Sequence, residues 1–163
     1  MTAETIVLVL TRIEARNLAD LVAQFSELLE ETAESSDPAV RRLVPDAYSD
    51  DTDAAAEFRR ATQGDLLERR QHDALRVLAD LAPAFGSGDE NPSGGTSDDE
   101  EITISLDRDT GWAWMRTLTS IRLVIAERLG IHDERDAHPE DERFAVFDWL
   151  GFRLEGLVRA LSD

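Results

Sequence analysis

Two short apolar runs, each ending at a helix-capping residue, restrict the fold of this chain more than anything else in its sequence. Ile6-Val7-Leu8-Val9-Leu10 leads into Thr11-Arg12-Ile13-Glu14, and Ile102-Thr103-Ile104-Ser105-Leu106 leads into Asp107-Arg108-Asp109-Thr110. β-Branched side chains suit a pleated strand better than a helix, where they crowd the preceding turn. In the second run Ile102, Ile104 and Leu106 alternate with Thr103 and Ser105, so one face is expected buried and the other wet. Thr11 with Glu14 has capping-box spacing, and Asp107 is placed to cap a second helix. A two-stranded ribbon is marginal in water unless something packs on it. The expectation is therefore that residues 5–10 pair with residues 102–107, drawing both portions of the chain into one domain, residues 1–163.

Between the two runs lies Pro83 to Glu101, a stretch of Gly, Ser, Pro and acidic residues with little apolar content. Such sequence cannot bury enough surface to order itself, so residues 84–101 are expected to form a flexible acidic internal linker or loop. Outside it, apolar residues recur at helical spacing. Leu18, Leu21, Val22, Phe25, Leu28 and Leu29 form one stripe. A short helix is expected from Pro38, with Asp37 as cap, and a second from Asp51 through Phe58. Thr62 then starts a long helix whose buried side is Leu67, Ala74, Leu78 and Leu81, stopped by Pro83. Trp114, Met115, Leu118, Ile121, Ile125 and Leu129 mark another, closed by Gly130 and Ile131. The last begins at Pro139 and carries Phe144, Phe147, Leu150, Leu154, Leu157, Val158 and Leu161. The fold class is mostly α: a single-domain bundle of four long and two short helices with a small β-ribbon.

Charge narrows the partners. The chain has 35 acidic against 17 basic residues, giving a formal net charge of −18, and every basic residue is an arginine. Nucleic-acid affinity comes largely from counterions released at basic patches, so this balance opposes direct DNA binding. The arginines do pair up in sequence, as Arg41-Arg42, Arg59-Arg60 and Arg69-Arg70. Arg41, Arg42, Arg59 and Arg60 are the candidate contacts for an acidic face of a partner protein, with Trp112 as the expected exposed aromatic. Arg122, set in the apolar run Thr119 to Ile125, is expected to be partly buried in a structural ion pair with Asp148 or Glu57, because an unpaired buried charge costs several kcal/mol. The ribbon leaves two strand edges, which are covered by loops or by a second copy, and a homodimer is the reading preferred. No apolar run is long enough for a membrane span and no leader-like segment is evident, so the expected location is the cytoplasm.

No catalytic constellation emerges. There is no cysteine, which removes thiolate metal sites, disulfides and cysteine nucleophiles. His132, Asp133, Glu134 and His138 share an acidic loop, but capping of the next helix accounts for the carboxylates. His72 stands alone beside Arg69 and Arg70. Asp50-Asp51-Thr52-Asp53 lacks the glycine and ligand spacing of a calcium loop. Gly86, Gly88, Gly94 and Gly95 have neither the preceding strand nor the following lysine of a phosphate loop. Ser87 and Ser93 lack the strained turn of a serine nucleophile. The expectation is a non-enzymatic protein without metal or cofactor.

Three motifs carry a family resemblance over most of the chain. Leu43-Val44-Pro45-Asp46-Ala47-Tyr48 running through the Asp-rich turn to Glu57-Phe58-Arg59, then Ile121 to Gly130, then Val146-Phe147-Asp148-Trp149-Leu150, resemble blocks of the actinobacterial oxidative stress regulator family, also catalogued as domain of unknown function 2017. Phe147 stands where the family pattern has tyrosine. The resemblance implies a small cytoplasmic protein that regulates transcription by binding a sigma factor or another transcription component. It also implies a gene neighbourhood of proteolysis and cysteine metabolism, and hence the alternative of an adaptor or accessory factor; a direct DNA-binding regulator is a second alternative. The redox switch attributed to the family is a pair of cysteines, and this chain has none, so no sensor residue carries over.

Overall fold

The computed structural model of the chain describes residues 4–31, 38–41, 43, 52–85, 98–131 and 141–163, with side chains for all of these except 40, 41, 52–56, 58–61, 63 and 143. The two strands do pair. β1 (Ile6–Thr11) and β2 (Glu101–Leu106) run antiparallel in a register that sets Ile6 opposite Leu106, Leu8 opposite Ile104 and Leu10 opposite Ile102. One face of the ribbon is thus wholly aliphatic and lies on the core, while Val7, Val9, Thr103 and Ser105 point outward.

β1 passes without a loop into α1 (Arg12–Glu31). The expected capping box forms: Thr11 N–H donates to Glu14 Oε2 at 2.9 Å, and Glu14 N–H donates to Thr11 Oγ1 at 3.3 Å. Two otherwise orphaned donors are satisfied reciprocally. The turn before β2 is tied to the same place, since Arg12 N–H donates to Glu100 O and Ile13 N–H to Asp98 O. α2 (Pro38–Arg41) is a single turn; its expected cap, Asp37, lies outside the described residues.

α3 (Thr52–Leu81) corrects the expectation of two helices meeting near Thr62. They are one helix of 30 residues. Thr62 does not start a new helix, because no proline or left-handed glycine ends the first segment. Gly64 in the interior costs only about 1 kcal/mol of helix propensity, which burial of the Leu67, Ala74, Val77 and Leu81 stripe against α1 outweighs. Past Leu81 the chain tightens into a 3-10 turn, Ala82–Phe85, in which Ala84 is fully buried. Ala84 therefore belongs to the folded body and not to the expected 84–101 connection; residues 86–97 of that connection lie outside the described residues.

α4 (Arg108–Leu129) is capped by Asp107, whose Oδ1 accepts from Thr110 N–H at 2.7 Å. It stops at Gly130, φ +72°, where Gly130 N–H reaches Glu127 O and Ile131 N–H reaches Ala126 O. This left-handed stop folds Ile131 into a small cluster with Ala126, Phe144 and Phe147. α5 (Ala145–Ser162) starts later than Pro139; a 3-10 turn over Glu142–Phe144 precedes it and seats Phe144 in that cluster. Val158, expected in the core face, is exposed, because the buried stripe runs Leu150, Leu157, Leu161 and leaves Val158 about 80° off its centre.

One core joins all of this: Ile6 and Leu10 of β1, Leu18 and Val22 of α1, Val77 and Leu81 of α3, Leu106 of β2, Trp114 and Leu118 of α4, Leu150 and Leu157 of α5. Both sides of the acidic connection contribute to it, in a mostly helical single-domain bundle.

Candidate functional site

Of the arginines expected to meet a partner, Arg41 falls on α2 and Arg59 and Arg60 on α3; Arg42 lies outside the described residues, as do the side chains of the other three. Trp112 is exposed, at 37%, on the first turns of α4, yet it is not the leading exposed aromatic. Phe152 on α5 is 68% exposed and Phe85 56%.

Arg122 corrects the expected ion pair. Its guanidinium lies 3.8 Å from the centre of the Phe147 ring, and its Nε donates to Phe147 O at 3.3 Å. Glu57 and Asp148 are exposed, and among the described residues neither carboxylate pairs with Arg122. Asp148 follows Phe147 by one residue, so it projects about 100° away from the side that Arg122 occupies. Gly151, one turn on, leaves room for the guanidinium: a Cβ there would stand 3.1 Å from its Nη2. The charge keeps part of its hydration and gains the ring face, an alternative to ion pairing worth about 0.5–2 kcal/mol.

Exposed apolar side chains stand on both the ribbon's outer face and α5. Val7 (57% exposed) and Val9 on β1 and Phe152 on α5 are exposed, and Arg153 ties the two elements together: its Nη1 donates to Val9 O at 3.2 Å and its guanidinium lies 5.7 Å from the Phe152 ring. Arg153 Nη2 also grips both oxygens of Glu14, and Trp149 Nε1 donates to Glu14 Oε1 at 3.1 Å. Burial alone would raise the Glu14 pKa, but the Thr11 amide, Trp149 and Arg153 together bring it below the usual carboxylate value.

A second feature lies between α3 and α4. A surface cavity of about 360 Å³ is lined by Leu66, Arg69, Arg70, His72, Asp73 and Arg116. Leu66, Arg69, Arg70 and Asp73 come together because residues three, four and seven apart share a helix face. Arg116 reaches in from α4 and takes Asp73 with both arms, Nε to Oδ2 at 2.8 Å and Nη2 to Oδ1 at 3.2 Å. That hydrogen-bonded carboxylate raises the Arg116 pKa, while burial, with the neighbouring charge of Arg116, lowers that of Arg70. Arg70 Nε is buried and has no hydrogen-bond partner among the described residues. The Arg69-Arg70 pair was visible in the sequence; Arg116 was not, since it stands 43 positions from the carboxylate that holds it.

Among the described residues no group of three or more His, Asp and Glu side chains is arranged to hold a metal ion, and no helix is long and apolar enough to cross a membrane. His132, Asp133, Glu134 and His138 lie outside the described residues. The sequence model of a family described as domain of unknown function (DUF2017) matches residues 1–161. No curated protein and no solved structure matches the chain.

Proposed function

Since the chain belongs to the DUF2017 family, we propose that it is a non-enzymatic regulatory protein that works by binding another protein, a sigma factor or other transcription component, in the cytoplasm. The observation that carries this reading is the set of exposed apolar side chains on β1 and α5, two elements that Arg153 ties together. In a chain of net charge −18, Val7, Val9 and Phe152 are held in water on a ribbon and helix that Arg153 and Glu14 lock together. Exposed apolar groups on a rigid support are what a protein-recognition surface offers. Arg41, Arg42, Arg59, Arg60 and Trp112 supply further contacts, and the negative field of the whole chain turns away bare DNA. The resemblance to oxidative-stress regulators supplies the kind of partner; the absence of cysteine makes regulation by this chain independent of its own thiols.

The full chain used as bait in host cytosol tests this. Recovery of a sigma factor or polymerase subunit is expected, reduced about tenfold or more by Val9→Ser with Phe152→Ser, as befits loss of a buried aromatic anchor. Recovery of a protease component or cysteine-pathway enzyme in its place would favour the adaptor alternative, and retardation of the host's promoter DNA by the chain alone would favour the direct DNA-binding one. Sedimentation of the same material decides whether the working form is a homodimer.

A further inference from the structure

The α3–α4 cavity uses none of the residues of the ribbon face, and its chemistry is of a different kind. We infer that it is a binding site for a small phosphate monoester, held by Arg69 and Arg70 against the wall formed by Leu66 and the Arg116–Asp73 pair. Three guanidinium groups and one carboxylate line it, and His72 is counted neutral, so the lining carries a net charge of +2 in a chain that is otherwise strongly acidic. Asp73 is hydrogen-bonded at both oxygens by Arg116, so it acts on Arg70 only as a neighbouring charge, and neither Arg69 nor Arg70 has a salt bridge among the described residues. Arg70 Nε is in addition a buried donor with no acceptor among them, and native structures rarely leave such a donor unmet.

The occupant follows from charge and shape. A phosphate monoester carries close to two negative charges near neutral pH and presents three acceptor oxygens, matching the +2 lining and the forked donors of two guanidinium groups. A lone carboxylate would leave one arginine uncompensated. The cavity volume, about 360 Å³, is within the range of small-molecule sites, and Leu66 offers an apolar wall to the organic part. An extended polyanion is a poor candidate, because beyond the cavity it meets the repulsive field of the whole chain, whereas a compact anion meets only the local charge.

Calorimetric titration of the full chain with inorganic phosphate, adenosine 5′-monophosphate, a phosphoserine peptide and succinate tests the site. Saturable binding of phosphate and the nucleotide is expected, with the nucleotide tighter. Arg69→Gln and Arg70→Gln should each weaken both by about tenfold or more, and Arg70→Lys by less, since the charge stays while the fork is lost. Arg69 is exposed, so its substitution keeps the test valid should Arg70→Gln lower stability. The inference is overturned by any of three results: no binding of phosphate or nucleotide, binding undiminished in the Arg69→Gln variant, or succinate bound as tightly as phosphate. Binding of the phosphopeptide alone would also overturn the small-molecule assignment. None of these outcomes bears on cytosolic capture through the ribbon face, which has its own variants.

Discussion

Arg122 shows how a half-buried guanidinium can be satisfied without a counter-ion. Its stack on Phe147 and its bond to the Phe147 carbonyl need a ring, a backbone oxygen and the gap at Gly151, all of which α5 presents within two turns. Phe147→Leu removes the ring face and part of the packing around Ile131 and Phe144, and should lower stability by about 1–2 kcal/mol in urea unfolding. Asp148→Asn, by contrast, should change it by less than about 0.5 kcal/mol, as for an ordinary surface substitution. A large loss from Asp148→Asn would restore the ion pair. The sequence made a charge in an apolar run visible, but not what met it: arginine accepts a carboxylate, a carbonyl or an aromatic face, and only the angular offset between adjacent positions of α5 separates these. Asp73 and Arg116 were hidden for a related reason, since their meeting depends on how α3 packs on α4.

At the scale of elements, Glu14 is the joint between β1, α1 and α5, through Thr11, Trp149 and Arg153. Its folded pKa is depressed, so the stability it contributes is present above the unfolded carboxylate value and is lost as pH falls through the lower, folded one. Glu14→Gln should therefore cost about 1 kcal/mol near neutrality and less at acid pH, making the acid side of a stability–pH curve shallower. A curve parallel to the parent's through the acid range would refute this. Local signals of this kind were legible in the sequence. The capping box spans four residues, the Asp107 cap likewise, and alternation in Ile102 to Leu106 fixed which face of the ribbon is wet. The fused α3 was less so, because Thr and Gly at positions 62 and 64 weaken a helix without ending it, and tertiary contacts decide. Phe152 escaped for the opposite reason: apolar spacing identifies core stripes, and a lone aromatic outside the stripe has no pattern.

On the scale of the whole molecule, the shared interior makes the two sides of the acidic connection one cooperative unit. Leu106 is 1% exposed and sits among residues of both sides. Leu106→Ala should cost about 2–5 kcal/mol and shift helix loss by circular dichroism together with tryptophan fluorescence, at a single midpoint. Separated midpoints would mean two independently folding portions.

The strand register has a consequence for synthesis. Ile6 meets Leu106, 100 positions further along the chain, so β1 leaves the ribosome long before its neighbour exists. Until then the aliphatic side of the first strand and the greasy stripe of α1 have only α3 to shelter them, and a mismatch there invites foreign strands. Loop closure over that distance is slow relative to helix growth. The nascent chain thus passes through a helical, strand-unpaired interval in which chaperone contact or self-association competes with maturation.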